Sequence, residues 1–470
     1  MQKAGRVVAA CAVIMATAVA LGVAWSGPSE KADAATKGYH VPRGPVFNSA
    51  TGPDRVKYAI NDHIKRAINH APRGSTIRIM SWNIHSAAMT DRLLRAQKRG
   101  VRVQVLMDSS NWSTEVPNRN FARLKAGLAK GNKGRKPGRW SAAKVCQGSC
   151  RGKSGSAHAK YYIFSWSGKS SRIVMEGSAN ITSAAATNQW NDMYTWVGNR
   201  KIYDFAVTIF KQAWQDKRVT NPWRSVSSPP FTLAFAPQMG KYYTGDPATK
   251  VLSKVSCKGA TNGNAQHRTI IRFFPDVMRG NRGLKNAQQL KALWNHGCDV
   301  EVGYTVMSYK AYKVLTSAGT RGKVPVHHMA VDNDGDGEFD KYFHLKVLTV
   351  NGVVGNDKAA YSVVNGSSNA SGLSAISDEN IAVITKPRAV LRYQKHLTYW
   401  FAHAPGGSAS TLGGGDGARL TVGDGSSVGR LVTPSGTKAA TSDGYIRPGT
   451  KVVSPLTGKV VDPYANIDMD

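Results

Sequence analysis

The sequence carries the same short pattern twice, once in each half. The segment from His158 to Asn180 reads HAKYYIFSWSGKSSRIVMEGSAN, and the segment from His344 to Asn369 reads HLKVLTVNGVVGNDKAAYSVVNGSSN. Each copy begins with a His two residues before a Lys, continues through a β-branched and aromatic run, and closes on Gly-Ser-x-Asn. The two His are 186 positions apart and the two Asn 189. An internal duplication explains this better than coincidence.

The residues ahead of each copy repeat a second pattern, a strand, a helix and a strand. Alternating apolar residues predict the strands, and apolar residues at helical spacing predict the helices. Strands joined through a helix run parallel with a right-handed crossover, so the sequence predicts an α/β fold class. The predicted elements are Ser75–Ile84, Asp91–Lys98 and Val101–Met107 in the first half, and Arg268–Phe274, Leu284–Asn295 and Val300–Met307 in the second.

The residue types in the repeated pattern suit the cleavage of a phosphodiester. Alternate side chains of an extended strand share a face, so His158 and Lys160 emerge together, as do His344 and Lys346. One imidazole attacks phosphorus to give a covalent phospho-His, while the other protonates the leaving oxygen and later activates water. The lysines supply positive charge, so no metal or other cofactor is required. Orienting hydrogen bonds come from Ser178, Asn180, Ser367 and Asn369.

From about Asp54 to His403 the sequence resembles the phospholipase D superfamily, whose pattern is H-x-K, four residues, Asp, and then G-S-x-N. The resemblance implies two pseudo-twofold related α/β lobes, each a mixed β-sheet flanked by helices, with one active site at their interface. It also implies a two-step phospho-histidine mechanism without metal. By the family pattern His158 is the nucleophile and His344 the acid, an order that the residues alone leave open.

The sequence departs from that family pattern at the two Asp positions. Ser165 stands there in the first copy and Asn351 in the second. The family's Asp supports the fold more than the chemistry, so we expect activity to survive. The family also often has a carboxylate after G-S-x-N that orients a catalytic His. Glu379 fits that role in the second half, whereas the matching place in the first half is Asn191 or Asp192.

The composition favours anionic partners. The 470 residues include 63 Lys and Arg against 29 Asp and Glu, a formal net charge of +34. Such a surplus attracts nucleic acid, anionic lipid surfaces or phosphorylated small molecules, and it also suits attachment to acidic cell-wall polymers. We expect a monomer that binds a phospholipid or another anionic phosphodiester through transient contact with a membrane surface, with nucleic acid as the alternative partner.

The positive charge is concentrated ahead of the first motif. No acidic residue occurs between Glu115 and Glu176, and this stretch leads directly into His158. We call its basic residues up to position 153 the basic stretch. They are Arg119, Arg123, Lys125, Lys130, Lys133, Arg135, Lys136, Arg139, Lys144, Arg151 and Lys153.

The N-terminus has the layout of a secretory signal. Lys3 and Arg6 precede an Ala/Val-rich run from Val7 to Trp25, and the polar segment that follows ends in the small-residue motif A-D-A at Ala34. This layout predicts cleavage after Ala34 and a secreted protein. An uncleaved anchor is the alternative, because the uncharged run is long enough to span a bilayer.

The cysteines fit an exported protein. Cleavage would remove Cys11 and leave four cysteines, for which three disulfide connectivities are possible. Proximity favours Cys146–Cys150 and Cys257–Cys298. A zinc site is the competing interpretation, but the pairs lack the usual C-x-x-C spacing and the compartment is oxidising.

Changes in composition divide the chain into four parts. We predict a signal over residues 1–34, a first lobe over 35–225, a second lobe over 226–405 and a tail over 406–470. Ser227 to Pro230 marks the predicted linker between the lobes. Gly406 to Gly429 has the composition of a flexible linker, and Tyr445 to Tyr464 that of short β segments with turns. The residues indicate no function for the tail.

An acidic segment just ahead of His344, VDNDGDGEFD, is spaced like the start of a calcium loop with its glycine at Gly337. The twelfth position of the loop is Phe343 rather than Glu, which excludes a full EF-hand. A structural Ca²⁺ site and a plain acidic turn both fit the segment. The candidate ligands are Asp332, Asp334, Asp336 and Asp340.

Three functions fit these observations. The first is a secreted phospholipase D-like phosphodiesterase that hydrolyses the head-group ester of glycerophospholipids, with head-group exchange when an alcohol traps the phospho-His. The second is a secreted, sequence-nonspecific endonuclease on the same scaffold, favoured by the basic stretch. The third is a non-catalytic binder of anionic polymers, suggested by Ser165 and Asn351 but opposed by the intact His and Lys of both copies.

Overall fold

Two mixed β-sheets, one for each copy of the repeated pattern, form the centre of the protein. The computed structural model describes residues 38–405, 419–421, 427–441 and 445–468. The predicted signal over residues 1–34 lies outside the described residues, as does most of the predicted linker from Gly406 to Gly429. Within the described part of that linker, Arg419–Thr421 pairs with Ser427–Arg430 as an antiparallel hairpin.

The first sheet contains the first motif. Its seven strands are β1 (Gly44–Phe47), β2 (Thr76–Met80), β3 (Arg102–Asp108), β4 (Ala142–Cys146), β5 (Tyr161–Ser167), β6 (Ser170–Gly177) and β7 (Asp192–Val197). Their order in the sheet is β1-β7-β6-β5-β2-β3-β4. β2 and β3 are parallel neighbours, as the predicted β-α-β unit requires. β5 and β6 form the antiparallel hairpin of the motif.

The second sheet contains the second motif. Eight of its nine strands are β8 (Arg224–Ser228), β9 (Phe231–Phe235), β10 (Ile270–Phe274), β11 (Asp299–Tyr304), β12 (Val326–His328), β13 (Val347–Val354), β14 (Asp357–Gly366) and β15 (Asn380–Ile384). The ninth, Val255–Ser256, pairs with β13. The order is β8-β9-β15-β14-β13-β10-β11-β12. From β9 to β12 it reproduces the first sheet strand by strand, as an internal duplication predicts.

The helices pack on these sheets through amphipathic faces. In the helix Ala59–Asn69, for example, Ile60, Ile64 and Ile68 are buried at four-residue spacing. Side-chain oxygens cap several helices, as Ser86 and Asn118 do. The α-helices of the described chain are α1 (Asp54–Lys57), α2 (Ala59–Asn69), α3 (Ala87–Lys98), α4 (Arg119–Lys130), α5 (Ala184–Thr187), α6 (Arg200–Ala213), α7 (Pro247–Leu252), α8 (Gly280–Asn295), α9 (Tyr309–Thr316), α10 (Gly372–Ile376) and α11 (Pro387–Ala402).

One apolar cluster is shared by the two sheets and fixes one against the other. Its members include Tyr161 of β5 and Val347 of β13, the strands that follow the two H-x-K triplets. Trp190 stacks on Phe343 with ring centroids 4.8 Å apart. The short strands Gln189–Trp190 and Lys341–Phe343 also pair in parallel. The chain just before His344 is therefore held by the first lobe.

The H-x-K triplets were predicted inside strands, and this prediction is wrong in both copies. His158 and Lys160 lie just before β5, and His344 and Lys346 lie just before β13. The physical reason is that the N–H groups of Lys160 and His344 bond to the opposite lobe instead of a neighbouring strand. The Lys160 N–H donates to Asn380 Oδ1 at 2.6 Å, and the His344 N–H donates to the Trp190 carbonyl at 3.0 Å.

The predicted linker from Ser227 to Pro230 is also wrong. Ser227 and Ser228 belong to β8, and the chain turns at Pro229 and Pro230 into β9. The Ser and Pro content misled the prediction because an edge hairpin tolerates these residues as well as a linker does. The described chain continues from the first sheet into the second without a separate connecting segment here.

Both predicted disulfides are present. Cys146 bonds to Cys150 and Cys257 bonds to Cys298. Their thiolates are consumed by these bonds, so the competing zinc interpretation is wrong for both pairs. Within the described ranges, no helix combines the length and apolar character needed to cross a membrane.

The two disulfides should differ in their effect on stability. Cys257–Cys298 closes a loop of 41 positions, whereas Cys146–Cys150 closes one of only four. Replacing the first pair by Ala should lower the free energy of unfolding by about 4 kcal/mol, and replacing the second by about 2 kcal/mol, because longer loops lose more entropy on closure. Denaturant unfolding of both double variants measures the difference. A larger loss for the short loop would contradict this ranking.

Candidate active site

The two motif histidines, His158 and His344, face each other at the junction of the lobes. The Asp468 Oδ2 atom lies 3.3 Å from His344 Nε2 and 3.7 Å from His158 Nε2. A single oxygen therefore lies within reach of both imidazole rings. His158 and His344 are both fully buried. The expectation that two half-sites from distant parts of the chain meet at one place agrees with this geometry.

Each histidine is oriented by a residue of the opposite lobe. His158 Nδ1 lies 3.0 Å from both carboxylate oxygens of Glu379, which immediately precedes β15. His344 Nδ1 lies 2.7 Å from Asn191 Oδ1, which immediately precedes β7. Of the two candidates in the first half, Asn191 and not Asp192 occupies this place. The half-sites are therefore alike in geometry but differ in charge, with a carboxylate behind one ring and an amide behind the other.

The motif serines hold these orienting groups. Ser178 Oγ donates to Asn191 Oδ1 at 2.9 Å, and Ser367 Oγ donates to Glu379 Oε2. Ser178 also accepts the N–H of Asp192, and Ser367 that of Asn380. Both serines thus act on the histidines through the residues behind them.

The motif asparagines anchor the strand ends beside the site. Asn180 Oδ1 accepts from Ser81 Oγ at 3.3 Å and from the Asn83 N–H at 3.4 Å. Asn369 Oδ1 accepts from the Val277 N–H at 3.3 Å. Their amide oxygens therefore tie each G-S-x-N segment to the chain that follows β2 or β10.

The motif glycines are required by the close approach of neighbouring strands. A Cβ atom on Gly177 would overlap the Asp192 carbonyl, and one on Gly366 would overlap the Asn380 carbonyl. Gly366 also has a φ of +139°, which other residues rarely adopt. The glycines bring each serine close enough to bond the orienting residue on the next strand.

The two motif lysines have different surroundings. Each ammonium group donates to the carbonyl of the His two positions earlier, at 2.5 Å for Lys160 and 2.9 Å for Lys346. Lys346 also forms a buried ion pair of 2.7 Å with Asp276, a residue with a φ of +57°. At the corresponding place in the first half, Trp82 has its ring centre 5.9 Å from the Lys160 ammonium. Sequence analysis missed Asp276.

The two histidines also differ in pKa. Burial lowers the pKa of both rings, because it disfavours the charged imidazolium. At His158 the Glu379 and Asp468 carboxylates outweigh burial and raise the pKa above its ordinary value. At His344 burial and the nearby Lys346 ammonium hold the pKa well below its ordinary value. The resting site therefore favours a proton on His158 and a neutral ring at His344.

A buried polar cluster behind the site ties the lobes together. Glu176 accepts from Asn365 at 3.0 Å and from Asn380 at 2.7 Å, and Asp192 accepts from Asn365 and the Tyr393 hydroxyl, both at 2.8 Å. Burial and the neighbouring Asp192 raise the pKa of Glu176 to about 8. The sequence could have pointed to this cluster, because Glu176 and Asn365 each stand two residues before the serine of their own motif.

Ser165 and Asn351, which stand at the two motif Asp positions, lie between neighbouring strands. Ser165 Oγ accepts the Thr76 N–H at 2.8 Å and so links β5 to β2. Asn351 lies in β13 opposite Ile270 of β10. Neither residue contacts a catalytic histidine in the described hydrogen bonds, which agrees with the expectation that this position supports the fold.

The acidic loop ahead of His344 brings three of its four candidate ligands together. Carboxylate oxygens of Asp332, Asp334 and Asp340 lie within 4.8 Å of one another, whereas Asp336 is not part of this group. Asp332 already accepts the N–H groups of Gly335 and Gly337, and burial raises its pKa to about 6. A structural Ca²⁺ here stays a prediction, and these three carboxylates would hold it.

Most of the basic stretch is exposed to solvent. Its exposed members are Arg119, Arg123, Lys125, Lys130, Lys133, Lys136, Lys144 and Lys153. Arg135 and Arg139 are half-buried. Arg151 is buried at 1 % exposure, because its guanidinium donates to the carbonyls of Ala236 and Pro222. Arg151 therefore stabilises the chain between the lobes rather than offering charge to a partner.

A known family model matches the part of the chain that contains the first motif. Residues 64–214 match the family model described as "Cardiolipin synthase, PLD-like domain", which covers the first H-x-K and G-S-x-N. The second half carries the same motifs on the same strand order. Over residues 64–214 the chain is therefore similar to the phospholipase D superfamily. Members of this superfamily act on phosphodiester bonds. No curated protein matches the sequence.

Solved structures similar to this phospholipase D-like chain have low sequence identity. Phosphatidylserine synthase from Haemophilus influenzae Rd KW20 is 12% identical with a TM-score of 0.52, over 77% of this chain and 86% of that one. Polyphosphate kinase from Porphyromonas gingivalis is 12% identical with a TM-score of 0.49, over 75% of this chain and 49% of that one. The chain therefore spans about half the length of the kinase. Nuc from Salmonella typhimurium is 18% identical with a TM-score of 0.26, over 37% of this chain and 99% of that one.

Exchanging the groups behind the two rings should move their pKa values in opposite directions. Glu379→Gln should lower the pKa of His158 because it removes a negative charge, and Asn191→Asp should raise the pKa of His344 because it adds one. Titration of the imidazole resonances by nuclear magnetic resonance measures both. His63, a buried histidine bonded to Thr195 away from this site, is the internal control and should keep its pKa of about 4. An unchanged His158 pKa in Glu379→Gln would contradict the assigned electrostatics.

Proposed function

We propose that this chain is a secreted phosphodiesterase that hydrolyses the head-group ester of glycerophospholipids through a phospho-histidine, and exchanges the head group when an alcohol replaces water. The observation that carries the proposal is that one oxygen atom lies within 3.7 Å of both His158 Nε2 and His344 Nε2. A phosphorus atom between these nitrogens can be attacked by one ring while its leaving oxygen takes a proton from the other.

The difference in charge behind the rings supports His158 as the nucleophile. In the reacting state the proton lies on His344, the reverse of the resting site, in which the Asp468 carboxylate favours a proton on His158. Attack by a neutral imidazole places positive charge on that ring, and a carboxylate at Nδ1 stabilises this charge as it develops. Glu379 provides that carboxylate. The proton donor loses positive charge in the same step, so a neutral amide behind it leaves it the stronger acid. Asn191 provides that amide at His344.

The second step reverses the proton transfer. His344, now neutral, removes a proton from water, and the oxygen of that water attacks phosphorus. The bond from phosphorus to His158 breaks, and phosphatidic acid leaves. An alcohol in place of water gives a new phosphodiester by the same steps. Lys160 and Lys346 offset the negative charge of the non-bridging oxygens in both steps, so the proposal needs no metal.

A nuclease on the same site is the second candidate, and the exposed basic stretch favours it. Eight of its side chains are exposed between Arg119 and Lys153, and such a surface binds a phosphate backbone through counterion release. The same charges also attract an anionic membrane surface. The substrate assay below separates the two candidates.

Export is part of the proposal. Its support is the signal-like N-terminal sequence together with two disulfides, which persist in oxidising compartments. The mature chain would then begin after Ala34 and act on phosphodiesters outside the cell.

A paired substrate assay tests the proposed function. The mature protein is offered phosphatidylcholine vesicles and plasmid DNA in parallel, each with EDTA present. We expect choline release without DNA nicking. The release should persist in EDTA, because the chemistry uses only protein side chains. DNA nicking that weakens steeply with added salt would instead identify the nuclease. Activity on neither substrate would favour the non-catalytic binder of anionic polymers.

Replacing the nucleophile tests the mechanism. His158→Ala should reduce turnover at least about 10³-fold, because both the attack and the covalent intermediate are lost. His85→Ala, which removes an exposed histidine of the first lobe, should leave turnover unchanged. Rapid quenching followed by mass spectrometry should locate an acid-labile phosphoryl group on His158. A phosphoryl group on His344 would reverse the assigned roles, and unchanged turnover in His158→Ala would exclude the mechanism.

A further inference from the structure

The tail is fixed to the second lobe through an apolar contact of its own. We call the described residues 427–441 and 445–468 the tail segment. Its buried side chains pack against the chain that precedes His344, including Phe339 and Tyr342. The Tyr445 hydroxyl donates to the Met307 carbonyl at 2.9 Å, and the Phe339 N–H donates to the Pro463 carbonyl at 2.8 Å. The tail residues in this contact include Leu431, Ile446, Val452, Tyr464 and Ile467.

The ordered contacts of the tail segment continue as far as the active site. Asn466 donates to the Glu338 carboxylate at 3.0 Å, and the Asp468 N–H donates to the Tyr342 hydroxyl at 3.1 Å. These bonds place the Asp468 carboxylate between the two catalytic rings, where its side chain is only 6 % exposed. Hydrogen bonds between the tail segment and the chain before His344 therefore hold the Asp468 carboxylate in the site.

The Asp468 carboxylate lies where the reaction requires a phosphoryl group. Its Oδ2 atom contacts the Nε2 atoms of both histidines, and these are the atoms that attack phosphorus and protonate the leaving oxygen. A carboxylate resembles a phosphodiester in its negative charge and its paired oxygens. A phosphodiester and the Asp468 side chain cannot occupy this position together.

The charges around Asp468 keep it ionised, and the ionised carboxylate slows the reaction. Burial alone would raise the pKa of Asp468, but hydrogen bonds and charge interactions with His158 and His344 hold it well below its ordinary value. The ionised carboxylate in turn favours a proton on His158. A protonated imidazole has no lone pair on Nε2 with which to attack phosphorus. Asp468 therefore opposes catalysis by its position and by its charge.

We propose that Asp468 and the tail segment form an intramolecular plug that keeps the active site closed until the segment is displaced. The inference rests on the proposed function, since it takes the two histidines to be the reacting groups. In the closed state all four motif side chains, His158, Lys160, His344 and Lys346, are at most 5 % exposed. Withdrawal of the segment opens the position between the imidazoles to the phosphodiester.

Asp468→Ala tests the plug, with Asp462→Asn as the matched control. Asp462 is another acidic residue of the same segment, and it pairs with the exposed Lys451 away from the histidines. Hydrolysis of bis(4-nitrophenyl) phosphate should be at least about tenfold faster in Asp468→Ala than in the unaltered chain. The rate in Asp462→Asn should be unchanged. A chain shortened after Ile467 should behave as Asp468→Ala does.

A second measurement separates the plug from the proposed function. Diethyl pyrocarbonate modifies accessible imidazoles, and mass spectrometry locates the modified residues. His158 and His344 should be modified faster in Asp468→Ala than in Asp462→Asn, and inorganic phosphate should bind Asp468→Ala more tightly. If both occur but no variant hydrolyses the ester, the plug is supported and the proposed function fails. If the ester is hydrolysed equally by all variants, or more slowly by Asp468→Ala, the plug is excluded. Unchanged modification and phosphate binding also exclude it.

Discussion

The active site depends on hydrogen bonds that cross from one lobe to the other. Each motif histidine comes from one lobe, and the residue behind it, Glu379 or Asn191, comes from the other. The backbone at Lys160 also bonds across, to Asn380. These groups are buried, so leaving any of them without a partner would be costly. The stability of the interface and the geometry of the chemistry therefore rest on the same bonds.

The two half-sites share one plan but have unequal surroundings. The two sheets have the same strand order and strand directions when β1 of the first sheet is matched with β9 of the second. Yet a carboxylate stands behind one ring and an amide behind the other, and Lys346 is paired with Asp276 where the first half has Trp82. A two-step phosphoryl transfer needs one ring that gains charge while the other loses it. Under the proposed mechanism the unequal surroundings favour a different role for each ring.

The sequence predicted the parts of the fold that local patterns govern. The β-α-β units and both disulfides follow from periodicity and proximity, whereas the place of Glu379 behind a histidine follows from the resemblance to the phospholipase D superfamily. The H-x-K triplets were wrongly placed inside strands because their backbone partners lie in the opposite lobe, which no local pattern reveals. The choice of Asn191 over Asp192 depends on which of two adjacent side chains faces the site.

Two residues of the site have no motif that could have found them. Asp276 follows β10 with a backbone conformation unusual for an aspartate, and its role appears only through Lys346. Asp468 lies 124 positions after His344 in a tail to which the sequence assigned no function. Only the packing of the tail segment on the chain before His344 brings its carboxylate to the rings.

The central claim is that both imidazoles close around one phosphorus atom. A crystal structure of Asp468→Ala grown with vanadate, which adopts the five-coordinate geometry of phosphoryl transfer, tests this claim most directly. The account predicts a single vanadate bonded to His158 Nε2, with one of its oxygens within hydrogen-bond distance of His344 Nε2. Vanadate that contacts only one of the two rings, or that binds elsewhere on the chain, would contradict it.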